Sequence, residues 1–84
     1  MNLTEERISL AKGIGAAFAI TFWQVIKDEP PKNFSAEKFV EKHKNEVREK
    51  LYLYYIEWPT GEELEKLQDI AEEAFKNESK KLIV

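Results

Sequence analysis

Residues 13–26 read Gly13-Ile14-Gly15-Ala16-Ala17-Phe18-Ala19-Ile20-Thr21-Phe22-Trp23-Gln24-Val25-Ile26, fourteen positions without a charge. At ~1.5 Å per residue such a helix is about 21 Å long, short of the ~30 Å hydrocarbon core a membrane span must cross. A secretory leader fits poorly as well. Glu5 and Glu6 stand where basic residues belong, and Lys27-Asp28-Glu29-Pro30 follows in place of a small-residue cleavage site. The reading that remains is a core helix over about residues 4–27.

That helix has no polar side. At roughly 100° per residue, Ile8, Leu10, Ile14, Phe18, Phe22, Val25 and Ile26 cover one half of the cylinder. The other half carries Gly13, Ala16, Ala17, Ile20, Trp23 and Gln24. A helix apolar all round is buried all round, and small residues at helical spacing let a second backbone come close. Two amphipathic neighbours cover one wide face only. The second face is expected to meet another copy of the chain, in an isologous and antiparallel homodimer.

Working outward, the chain is punctuated twice. Pro30-Pro31 within Asp28–Asn33 cannot continue a helix, and Trp58-Pro59-Thr60-Gly61 forms a corner. The segments between are expected to be helices over about 35–57 and 60–77, making an all-α, three-helix single domain of residues 1–84. Thr4, Ser35 and Thr60 are the expected N-caps, with Thr60-x-x-Glu63 as a capping box. Leu3 with Ile8, Phe34 with Phe39 and Pro59 with Leu64 have the spacing of hydrophobic staples.

The second segment carries a stripe of Phe39, Val40, His43, Val47, Leu51, Tyr54 and Trp58. Its last turns are apolar off the stripe too. Tyr52, Leu53, Tyr55 and Ile56 are therefore expected to join Gly13, Ala16, Ala17, Ile20, Trp23 and Gln24 in the dimer or partner interface. Leu51–Ile56 has strand-like composition, but it continues a charged helical stretch without a breaker. In the third segment Leu64, Leu67, Ile70, Ala71, Ala74 and Phe75 form the stripe. Glu78 would fall on it, so this helix is expected to end near Asn77.

Composition bounds the chemistry. The chain has 84 residues, 43% hydrophobic and 35% charged, with net charge −3 and no cysteine. Sulfur-based metal sites and thiol nucleophiles are thereby excluded. An intracellular, cytoplasmic protein with no cofactor is expected. The third segment opens with Glu62, Glu63, Glu65 and Asp69 against Lys66 alone, which phosphates would repel, so nucleic acid is not an expected partner. No Gly-x-Ser-x-Gly motif or phosphate loop is present. His43 is the single histidine and reads as a residue of the core boundary.

Glu46-x-x-Glu49 and Asp69-x-x-Glu72 resemble the way all-α nucleotide pyrophosphohydrolases hold Mg²⁺ with carboxylates from two neighbouring helices. The family pattern is Glu-x-x-Glu followed by Glu-x-x-Asp, and here the second element is reversed. The resemblance implies an alternative in which Glu46, Asp69 and Glu72 hold Mg²⁺ for phosphohydrolysis. The primary expectation is a helical protein–protein interaction or regulatory module without catalysis, whose partner is itself or another protein.

Overall fold

A computed structural model describes residues 5–51 and 61–83. It is an all-α, three-helix fold: α1 Glu5–Ile26, α2 Ala36–Lys50 and α3 Glu62–Leu82, with no strand among the described residues. α3 is the element against which both other helices pack.

Local chemistry sets the boundaries. Glu29 N–H donates to the Ile26 carbonyl at 3.2 Å as α1 runs into the loop carrying Pro30-Pro31. Asn33 then takes a left-handed conformation (φ 59°), which asparagine tolerates better than most side chains. Ser35 caps α2 as expected, its Oγ accepting the Lys38 N–H at 3.2 Å. Phe34 and Phe39 close the staple, with ring centroids 6.0 Å apart and edge to face. Leu51 caps the described end of α2. The expected continuation to 57, the Leu51–Ile56 alternative, and the roles of Leu3, Thr4 and Pro59 lie wholly or in part outside the described residues.

α3 departs from expectation at both ends. Its N-cap is Gly61, at φ 66°, with no side-chain cap, and its first helical residue is Glu62. It also runs past Asn77 to Leu82, where Ile83 N–H donates to the Ser79 carbonyl at 2.9 Å. The reason lies in which residue turns inward. Leu67, Ala71, Phe75 and Ser79 are fully buried at intervals of four, so small Ser79 enters the core. Glu78 stays half-buried in a groove between α1 and α3 that Lys12 and Lys81 also line. Leu82 and Ile83 then pack against the core.

Two kinds of contact hold the layers. Along α1 and α3 the contact is backbone-close: Ala11, Gly15 and Ala19 are buried at intervals of four, and Gly15 lies against Ala71 and Ala74. At the other side an aromatic cluster joins all three helices. Phe39 stacks on Phe75 at 5.6 Å, while Phe22 meets Phe75 edge-on at 6.2 Å. Ring pairs of this kind add ~0.5–1.5 kcal/mol each beyond the area they bury. His43 sits at the edge of the cluster, stacked on Phe22 at 4.5 Å and edge-on to Phe39 at 5.1 Å.

Candidate self-association surface

Because α1 spends its buried face on α3 and the aromatic cluster, its other face is left outward. Leu10 is 38% exposed and Ile20 41%; Gly13, Ala17, Thr21 and Gln24 are exposed with them. Positions 10, 13, 17, 20 and 24 follow spacings of three and four, the seam a packed helix presents to another. One turn before its centre, a β-carbon on Gly13 would meet nothing within 4 Å. Leu10, Gly13, Ala17 and Thr21 border an apolar groove of about 510 Å³ whose floor is Ile14 and Phe18. Lys50, at the end of α2, lines the same groove, so the chain passes beside it before entering Leu51 and the run 52–56.

The residues expected at the interface divide accordingly. Gly13, Ala17, Ile20 and Gln24 lie on the open seam. Trp23 does not: its ring stacks on Phe34 at 5.7 Å and meets Phe39 edge-on at 6.4 Å, so it is engaged within the chain. Ala16 is half-buried and borders the α1–α3 groove with Ile70 and Ala74. Tyr52, Leu53, Tyr55 and Ile56 lie outside the described residues. Leu10 and Val25 move the other way. Both belong to the bulky half of the cylinder, yet Leu10 is 38% and Val25 80% exposed. The signal that could have placed Leu10 is the spacing 10-13-17-20-24 itself.

α1 has 22 residues and a mean hydropathy of 1.3 over its most apolar stretch, enough by length and composition alone to cross a membrane. Only 28% of that stretch is buried within the fold. The number matters here because a core helix of a closed domain would be mostly buried. Its charges, Glu5, Glu6, Arg7 and Lys12, all fall in the first eight residues.

The carboxylates of the phosphohydrolase alternative are otherwise occupied. Arg48 Nη1 donates to Asp69 Oδ1 at 2.6 Å and to Glu72 Oε1 at 3.3 Å, so a guanidinium stands where two of the three proposed ligands converge. The hydrogen bond to Asp69 above all, then the charges of both acids, raises the Arg48 pKa above its ordinary value against the opposing effect of burial. Gln68 Nε2 adds a bond to the Arg48 carbonyl at 2.9 Å, satisfying one of α2's last acceptors. Glu46 lies in a separate cluster. Its Oε1 accepts from Lys50 Nζ at 2.6 Å, and its Oε2 is 3.5 Å from His43 Nδ1. The Lys50 bond, with a smaller contribution from His43, holds Glu46 below the usual carboxylate range despite desolvation. Glu49 is exposed. Among the described residues no three His, Asp or Glu side chains group as a metal site. Arg48 with Asp69 and Glu72 is an ionic clamp between α2 and α3.

Comparison with protein-family models, with curated proteins and with solved structures gives no match to this chain. What the molecule offers for a functional reading is therefore its own surface.

Proposed function

We propose that this chain is a helical protein–protein interaction module that works as a homodimer, paired through the outward seam of α1. One observation carries the reading: open Gly13 and exposed Ala17 lie between exposed Leu10 and Ile20 on a helix without charge after Lys12. Small residues at the crossing let two helix axes approach to about 8 Å, where dispersion contacts accumulate. In an antiparallel pairing centred on Ala17, Gly13 of one copy faces Thr21 of the other and bulky Ile20 fills the space beside it, with Leu10 opposite Gln24 at the ends of the seam.

Area argues for a second contribution. Stable interfaces cover ~800 Å² per partner, roughly one-seventh of this chain's 5870 Å². One helix seam from Leu10 to Gln24, about 21 Å long, falls short of that alone. The apolar run Tyr52, Leu53, Tyr55 and Ile56 follows directly after Lys50 and Leu51, and Lys50 borders the α1 groove, so we assign this run to the same interface.

Light scattering coupled to size exclusion tests the reading. The wild-type chain is expected at about twice its 9.9 kDa mass at micromolar concentration. Ala17→Asp is expected at the monomer mass with its helical circular dichroism intact. A wild-type mass of 9.9 kDa at every concentration would refute the proposal.

A further inference from the structure

The loop between α1 and α2 encloses a second feature, independent of the α1 seam. A cleft of about 190 Å³ opens between the end of α1, the loop and the first turns of α2. Its walls are apolar: Ile26, Pro31, Phe34 and Phe39, with the His43 ring beside them. Lys32, Lys38 and Lys42 line it as well. Among the described residues no carboxylate does, although the chain as a whole carries net charge −3. Asp28 and Glu29, the nearest acids in the loop sequence, precede Pro30 and do not line it.

The cleft is held open by its own architecture. Phe39 is buried, 2% exposed, and fixed by stacking on Phe75. Phe34 is clamped against Trp23 at 5.7 Å. Left-handed Asn33 presents its carbonyl to Lys38 Nζ at 2.9 Å, which tethers one ammonium group at the cleft's edge. Lys32 and Lys42 are exposed and have no ion-pair partner among the described residues.

We infer that this cleft binds a small carboxylate bearing one aromatic ring or a branched aliphatic body. Size selects the body, because an apolar cavity of ~150 Å³ holds a single benzene ring. Charge selects the head group: Lys32 from the loop and Lys42 from α2 line the cleft without an ion-pair partner among the described residues, while the nearest placed carboxylate, Glu46, is engaged by Lys50 and lies behind His43. Lys42 and Lys32 act as the anion's contacts, while Phe34, Pro31 and Ile26 receive the ring above buried Phe39.

The test is a titration of the ¹⁵N-labelled full chain with phenylacetate, followed by amide chemical shifts. Saturable shifts confined to the loop and the start of α2 are expected, with a Kd of order ~1 mM for so small a ligand. Benzyl alcohol, which keeps the ring and lacks the charge, is expected to bind at least about fivefold more weakly. Inorganic phosphate, which keeps the charge and lacks the ring, should not reproduce the shift pattern at Phe34 and Phe39. Lys42→Gln is expected to raise the phenylacetate Kd by about fivefold, and an unchanged spectrum elsewhere would show that the fold is kept. Absence of saturable shifts with phenylacetate would overturn the inference. So would equal binding of benzyl alcohol, or phosphate shifts identical to those of phenylacetate.

Discussion

A β-carbon placed on Gly15 would overlap the carbonyl oxygen of Ala71 and crowd the methyl of Ala74. Glycine is thus required at this position by the approach of two helix backbones, although it sits where helix propensity alone would favour alanine by ~1 kcal/mol. Gly13, half a turn away, has nothing within 4 Å of the same hypothetical carbon. Two glycines separated by one residue therefore do opposite jobs: one seats α1 on α3, the other leaves α1 open.

Gly15→Ala and Gly13→Ala should move stability in opposite directions. Forcing a methyl into the Ala71 carbonyl separates α1 from α3, and overpacking of this kind costs ~1–3 kcal/mol even after relaxation. Gly13→Ala adds helix propensity without a clash and should stabilise the fold by up to ~1 kcal/mol. Urea unfolding of both variants at matched low concentration checks the signs.

Helix count, the loop at Pro30-Pro31, the Ser35 cap and the Phe34–Phe39 staple were all legible in the sequence, because each is a local signal with its own chemistry. The seam between α1 and α3 was not. Alanine and glycine look alike on a helical wheel, and nothing in the order of residues distinguishes Ala11-Gly15-Ala19, which is buried, from Gly13 and Ala17, which are not. Only the position of Ala71 separates them. Trp23 likewise reads as a free aromatic until Phe34 is brought beside it by the loop. α3 continues past Asn77 because the interval-of-four row turns Ser79, not Glu78, inward.

Ser35→Ala should cost about 1 kcal/mol, since it removes the side-chain acceptor of the Lys38 N–H at the start of α2. Ser35→Gly should cost only a few tenths. Thermal unfolding followed by circular dichroism distinguishes the two.

The Arg48 clamp joins α2 to α3 through partly exposed groups, Arg48 24% and Asp69 64%, so its value is modest. A double-mutant cycle with Arg48→Met and Asp69→Asn should return a coupling of about 0.2–1 kcal/mol, shrinking as salt is raised. A larger coupling that ignored salt would show that the pair is more buried than its exposure indicates.

Acid should weaken the fold partly through Glu46. Its pKa is lower in the folded chain than in the unfolded one, because Lys50 Nζ and His43 favour its charged form. The contribution is therefore complete above the unfolded carboxylate pKa, and is lost as pH falls through the folded value. Glu46→Gln should flatten the acid limb of a stability-versus-pH curve measured by urea unfolding.

The most direct test of the central claim uses the absence of cysteine from the chain. Ala17→Cys places a single thiol at the centre of the proposed antiparallel seam, where the two copies bring position 17 opposite itself within disulfide reach of ~4.4–6.8 Å between α-carbons. Under mild oxidation at micromolar concentration this variant should convert rapidly and almost fully to a covalent dimer, whereas Glu37→Cys, exposed on α2 and away from the seam, should remain largely monomeric. Equal, slow cross-linking of the two variants would contradict self-association through α1.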